Sequence, residues 1–242
     1  MRLPEADSVR VLLLDAGGVL IKPSFSRVAE ALAFRGVVVP AERLAAAEPR
    51  AKQELDRDPA AGAGTDAERG WHYFNLVLSH AGVARSAATD AALEELRRWH
   101  ARSNLWEDVP DGVRASLARF RTGGLRLAVV SNANGTVGAL LERLDLSPFF
   151  DAVLDSAVEG VEKPDPRLFL LALERLGAAA GEAAHVGDFY SVDVVGARAA
   201  GIRPILLDEA GLYPDVDCPR VRSLTELAEH LDPPGGARRH FC

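Results

Sequence analysis

The sequence predicts an α/β protein, a doubly wound parallel sheet into which a helical subdomain is inserted after the first strand. Three observations predict it. Apolar runs at 9–14 and 125–130, each broken only by an arginine at its second position (Arg10, Arg126), fit strands buried on both faces. From Leu125 onward, such runs alternate with helical patterns, the arrangement that makes a parallel sheet flanked by helices. Between the two runs lie about a hundred residues rich in Ala, Leu, Glu and Arg, with helical periodicity and no strand run.

The first strand, 9–14, carries Asp15 to its carboxyl edge. The Gly17-Gly18 pair behind it lets the backbone turn sharply, so that bare amides can surround an anion beside the Asp15 carboxylate. Taken alone, an Asp before two glycines is also an ordinary turn. The inserted region predicts helices over 26–35, 41–57, 66–80 and 89–103, with the Ala- and Gly-rich stretch 58–65 as a loop. Trp71, Phe74 and Leu78 recur at helical spacing and mark a packed face rather than a substrate platform. Hinges are expected near 20–27 and 103–109, and a subdomain so hinged can close over a site and exclude water.

A helix over 110–120 leads into the second strand, which ends in Ser131-Asn132 ahead of a helix over 136–144. The Ser131 hydroxyl suits a phosphate oxygen, although helix capping is the more ordinary use of Ser and Asn at such a boundary. After a strand at 152–155 comes Lys163-Pro164-Asp165-Pro166 and a helix over 167–176, which the two prolines suit as a start. Lysine is the exception here: of 28 basic residues only Lys22, Lys52 and Lys163 are lysines. A compact ammonium in an arginine-using chain points to a site that a guanidinium fork does not fit, the bland alternative being a surface lysine. The strand at 183–186 ends in Gly187-Asp188, followed by Asp193 at the start of a small-residue helix over 192–200 and a last strand at 202–207. His185, inside that strand, reads as a core imidazole. Open α/β sheets bind ligands at strand carboxyl ends, so Asp15, Ser131 and Asp188 can meet there. Asp15 and Asp188 suffice as side-chain ligands for a hard divalent cation such as Mg²⁺, with Asp193 as a helix cap or an acceptor behind them.

These four segments, in this order and at these distances, resemble the haloacid dehalogenase-like hydrolase superfamily, in the branch with a helical cap after the first strand. The likeness runs over nearly all of 9–231 and implies a Rossmann-like core over 1–20 and 108–232 and a cap over 21–107, while the Pro233-Pro234-Gly235-Gly236 stretch predicts a flexible tail over 233–242. It further implies Asp15 as nucleophile, Ser131 holding the transferring phosphoryl group, and Lys163 neutralising both. Gly17, Gly18 and Asn132 would line the phosphate. Mg²⁺ would be held by Asp15, Asp188 and the Gly17 carbonyl, with Asp193 behind. The substrate implied is a small phosphorylated metabolite.

One position departs from the pattern: phosphatases of the superfamily usually carry a second Asp, the general acid and base, where this chain has Gly17. That loss weakens proton donation to the leaving group, typically worth about 10² to 10⁴ in rate. It keeps two alternatives open: attack at carbon, as in the 2-haloacid dehalogenases, and a non-catalytic binding or regulatory protein. A phosphonate-cleaving enzyme would need a cap lysine, for which Lys22 and Lys52 are the candidates.

A formal charge of −7 and a pI near 5.4 predict no general attraction to nucleic acid or an anionic membrane. The segment 1–10 contains Glu5 and Asp7 and leads into too short an apolar run for a leader or a membrane span, so a cytoplasmic protein, monomeric or homodimeric, is expected. Cys218 and Cys242 form no metal-binding spacing and no disulfide framework.

Overall fold

The computed structural model describes residues 2–5, 8–58 and 66–231, with side chains at 66–70 excepted. The chain divides into two compact units, one of residues up to Ile21 together with those from Val109, the other of Lys22–Asp108. In order come β1 (Val11–Leu14), β2 (Lys22–Pro23), α1 (Phe25–Phe34), α2 (Ala41–Arg57), α3 (Asp66–His80), α4 (Ala87–Ser103) and β3 (Trp106–Asp108). There follow α5 (Val113–Thr122), β4 (Arg126–Ser131), α6 (Val137–Arg143), β5 (Ala152–Asp155), α7 (Ser156–Glu159), α8 (Pro166–Leu176), β6 (Ala183–Gly187), α9 (Val195–Ala199), β7 (Arg203–Leu207), β8 (Arg220–Val221) and α10 (Leu224–Leu231).

Six strands of the first unit form one sheet in the order β5-β4-β1-β6-β7-β8, every pairing parallel. β1 lies inside it, which is why its four residues are all apolar and wholly buried. From β1 the sheet grows first toward β4 and β5 and then, on the other side, toward β6, β7 and β8. Such a reversal opens a crevice at the carboxyl ends of the central strands. One face is covered by α8 and α9, where Leu168, Phe169, Ala172, Leu173 and Ala197 close on Val11, Leu13, Ala128 and Val130. α8 shows how local chemistry sets a boundary: Asp165 accepts from the Arg167 amide at 2.9 Å, Pro166 takes the first helical position, and Gly177 ends it in the left-handed region at φ 56°.

The second unit consists of α1–α4 and a two-stranded antiparallel ribbon of β2 and β3. The ribbon corrects the expectation of no strand in this region: two and three residues are too short to leave a periodic pattern, and only the distant partner makes them strands. The segments expected as hinges contain these strands. Phe74 and Leu78 are buried and Trp71 half-buried, with Phe74 packed on Trp71 and Trp106, each at 5.6 Å between ring centroids. Core packing therefore accounts for that stripe.

A second correction concerns the helix expected over 192–200. Its first part is a wider π-type turn, Tyr190–Val194, and only Val195–Ala199 is α-helical. Single π turns of this kind recur at functional sites. The expected 58–65 loop, apart from Asp58, the tail at 233–242 and Cys242 lie outside the described residues, whereas Cys218 is buried beside Val194, Leu206 and Tyr213. Among the described residues no helix is long and apolar enough to cross a membrane.

Candidate active site

The carboxyl ends of β1, β4 and β6 each deliver one polar group. Asp15 follows β1 directly, and its amide still donates to the Val186 carbonyl at 2.9 Å, so the sheet ladder holds its backbone. Its Oδ1 accepts from the Ala16 amide at 2.7 Å and lies 3.0 Å from the Lys163 ammonium. The turn behind it closes through Gly18 N–H to the Ile21 carbonyl at 2.8 Å, with Gly18 at φ +76°. Gly18 is needed for a second reason: a Cβ there would lie 1.8 Å from Oδ2 of Asp188. The glycine pair thus permits the close approach of two segments 170 residues apart as well as the turn.

Lys163 is buried, and its ammonium bridges Asp15 and Asp193, the latter at 2.7 Å. Asn132 holds the same residue by its backbone. Its Oδ1 accepts from the Lys163 amide at 2.7 Å and its Nδ2 donates to the Lys163 carbonyl at 3.0 Å. The Asn132 side chain, expected to line a phosphate, also clamps the β4 loop to the lysine through both of its polar ends. Ser131 is buried at the end of β4, its hydroxyl 3.5 Å from the Asn132 carbonyl. The loop after it is capped by Asp155, which accepts from the amides of Gly135, Val137 and Ala157 at 3.0, 3.2 and 3.0 Å. The capping that Ser131 and Asn132 were candidates for falls to Asp155, on the next strand.

Asp193 accepts four donors: Lys163 Nζ and His185 Nε2 at Oδ1, at 2.7 and 3.0 Å, and the amides of Asp188 and Phe189 at Oδ2, at 3.2 and 3.0 Å. A carboxylate offers about four lone-pair sites, so these bonds saturate it. The wide π turn and the bare Gly187 bring this about, since a Cβ at 187 would lie 2.1 Å from the Asp193 carboxyl carbon. One carboxylate oxygen from each of Asp15, Asp188 and Asp193 lies within 4.8 Å of the other two. With Asp193 saturated, Asp15 and Asp188 remain as the candidate side-chain ligands for a metal.

Burial drives the electrostatics. It pushes the Asp15 carboxyl up to about 7, with Lys163 opposing and the Asp193 and Asp188 charges adding to the rise. Burial would lower the Lys163 ammonium, but the two carboxylates outweigh it and hold its pKa above the ordinary lysine value. For Asp193 burial is likewise outweighed, by Lys163 and His185, and its carboxyl is held below the usual range. When all are ionised, three carboxylates face one ammonium, leaving two negative charges in excess in a buried site. A hard divalent cation with oxygen preference fits that donor set and that charge.

The profile of the haloacid dehalogenase-like hydrolases matches residues 9–201. The chain belongs to that family. Among the family's curated proteins it is 40% identical over 145 residues to the human "Haloacid dehalogenase-like hydrolase domain-containing protein 3", covering 60% of this chain and 57% of that one. It is also 40% identical over 159 residues to a phosphoserine phosphatase of Thermus thermophilus, covering 64% and 59%. The chain thus spans under three-fifths of the length of these two relatives. Among solved structures, a magnesium-bound HAD-hydrolase from Bacillus subtilis superposes with a TM-score of 0.67 at 23% identity, over 93% of this chain and 99% of that one, a likeness of fold. A 2-haloacid dehalogenase from Pseudomonas syringae pv. Tomato superposes with a TM-score of 0.58 at 27% identity, over 92% and 98%.

The architecture of this HAD-family chain explains why the site was legible in fragments. Asp15, Lys163 and Asp188 are brought together by the central strands, as is Gly18, while Ser131 stands at the end of the neighbouring strand. His185 was read as a core residue only. Its place two residues before Gly187-Asp188, on the same strand, was the available signal, but a period-two pattern cannot say which buried side chain reaches a polar partner.

Proposed function

We propose that this HAD-family hydrolase is a Mg²⁺-dependent phosphatase of a small phosphorylated metabolite, with Asp15 as the nucleophile and Ser131 and Lys163 as its catalytic partners. The single observation that carries this reading is the Lys163 ammonium set between Asp15 and Asp193 while Asp188 lies within 4.8 Å of both carboxylates. Four side chains from three separate segments of the chain meet there with the charges that a phosphoryl group needs.

Oδ1 of Asp15 is engaged by the Ala16 amide and Lys163, which leaves Oδ2 as the attacking oxygen. Attack forms the Asp15–phosphorus bond as the ester oxygen leaves with its electron pair, and water then displaces the phosphoryl group as inorganic phosphate, restoring the carboxylate. Lys163 and the Ser131 hydroxyl neutralise and hold the phosphoryl oxygens, with the bare backbone at Gly17 and Gly18 beside them. Asp15, Asp188 and the Gly17 carbonyl would hold Mg²⁺, which when bound supplies charge neutralisation at the phosphoryl group. Because Gly17 offers no acid, leaving oxygens of low pKa are favoured, so aryl and acyl phosphates turn over faster than alkyl ones.

The test is phosphate release from a panel of aryl, acyl, sugar and nucleotide phosphates with Mg²⁺ and with EDTA. Release that needs Mg²⁺ and disappears in Asp15→Asn is the expected result; no release from any substrate, or activity surviving Asp15→Asn, overturns it. Gly17, together with the likeness to a 2-haloacid dehalogenase, favours a second reading, hydrolysis at carbon by the same nucleophile. EDTA-insensitive halide release from a 2-haloacid would establish that reading instead.

A further inference from the structure

We infer that His185 is a positioning residue, a buried hydrogen-bond donor that fixes Asp193 so that Lys163 stays on Asp15; the inference rests on the proposed role of Lys163. His185 sits on β6 with no exposed surface, so it cannot touch a substrate. Its ring meets the Phe169 ring edge-on at 4.9 Å between centroids, which fixes its orientation from the α8 side. Nε2 lies 3.0 Å from Oδ1 of Asp193, the same oxygen that receives Lys163 Nζ at 2.7 Å. Asp193 is ionised and can only accept, so the proton of this bond belongs to Nε2.

Two donors on one oxygen divide its charge between them. Remove the imidazole, and Oδ1 draws the ammonium toward itself and away from Asp15, 3.0 Å off on its other side. A cation in place of His185 would compete with Lys163 for Asp193. Burial keeps His185 from charging, so it donates without competing. The other oxygen of Asp193 is held separately by the amides of Asp188 and Phe189, so the imidazole governs the lysine side of the carboxylate alone.

The test compares His185→Gln, whose amide can donate from near the Nε2 position, with His185→Met, of similar length and lacking a donor. His185→Met is expected to lower kcat about 10-fold with KM within about 3-fold, while His185→Gln keeps kcat within about 3-fold of the parent. Equal activity of the two variants overturns the inference, since a packing role moves both together. Crystals of both variants give an answer that does not need turnover. Lys163 Nζ out of hydrogen-bond reach of Asp15 in His185→Met alone supports positioning, and the bond retained in both overturns it. If the parent protein hydrolyses no phosphate ester, the phosphatase reading fails, and the crystals still decide the role of His185. Thermal unfolding checks that the variants fold, with His185→Phe taking the place of His185→Met if the latter does not.

Discussion

Gly18→Ala tests the closest approach in the site. The new methyl would lie 1.8 Å from Oδ2 of Asp188, against a carbon–oxygen contact distance of about 3.3 Å, so the carboxylate must retreat by roughly 1.5 Å. Residue 18 also has φ +76°, where an L-residue costs about 1–2 kcal/mol relative to glycine. Displacing the buried Asp188 carboxylate adds about 1–3 kcal/mol. The single variant should therefore lose about 2–5 kcal/mol. In an Asp188→Ala background the obstacle is gone, and the same substitution should cost only the backbone part, about 1–2 kcal/mol. Urea unfolding of the four proteins of this cycle, in EDTA, measures the difference. A penalty equal in both backgrounds would show that Gly18 serves the turn alone and that its proximity to Asp188 carries no energy. Calorimetry with Mg²⁺ supplies a second reading, in which Gly18→Ala should bind the ion at least about 10-fold more weakly, because one of the two proposed carboxylate ligands has moved.

Metal-free protein should lose stability as pH rises. Asp15 has a folded pKa of about 7 against 3.8 in the unfolded chain, so between these values the native state holds a proton that the unfolded state has released. The stability this contributes is complete below about pH 4 and is gone above about pH 7, while saturating Mg²⁺, which replaces the proton, should flatten the slope. Asp193, held low, acts in the opposite sense and elsewhere: its contribution is present above about pH 4 and fades only in acid. Urea unfolding at a series of pH values with EDTA and with Mg²⁺ checks this, and an EDTA profile that rises from pH 4 to 7 would contradict it. Asp155→Ala removes the acceptor for three amides around the β4 loop and should cost about 2 kcal/mol. A loss under about 0.5 kcal/mol would mean that water replaces the carboxylate there without penalty.

Much of the fold was open to a reading of the chain because the strong signals were local. The apolar runs that became β1, β4, β6 and β7 had to be buried on both faces, and Asp165-Pro166 and Gly177 carry the chemistry of a helix start and stop within a few residues. What escaped was either short or made by distant partners. β2 and β3 are strands only because each has the other, and the β4 loop is capped by Asp155 from another strand rather than by its own Ser131 and Asn132. Asn132 and His185 show the same limit at the site: the residue type says that a side chain can donate, and only the folded chain says to what.

By itself, the sequence determined that a carboxylate, a hydroxyl and a second carboxylate would stand at the carboxyl ends of strands in one parallel sheet, since strand position and burial follow from hydrophobic pattern. Tertiary structure alone decided how they share charge. Asp193 is filled by four donors, Lys163 is held between two carboxylates, and Gly18 leaves the space that Asp188 occupies. Hydrogen bonds and electrostatic shifts depend on distances of a few ångströms between segments far apart in the chain, and those distances arise only when the sheet has closed around them.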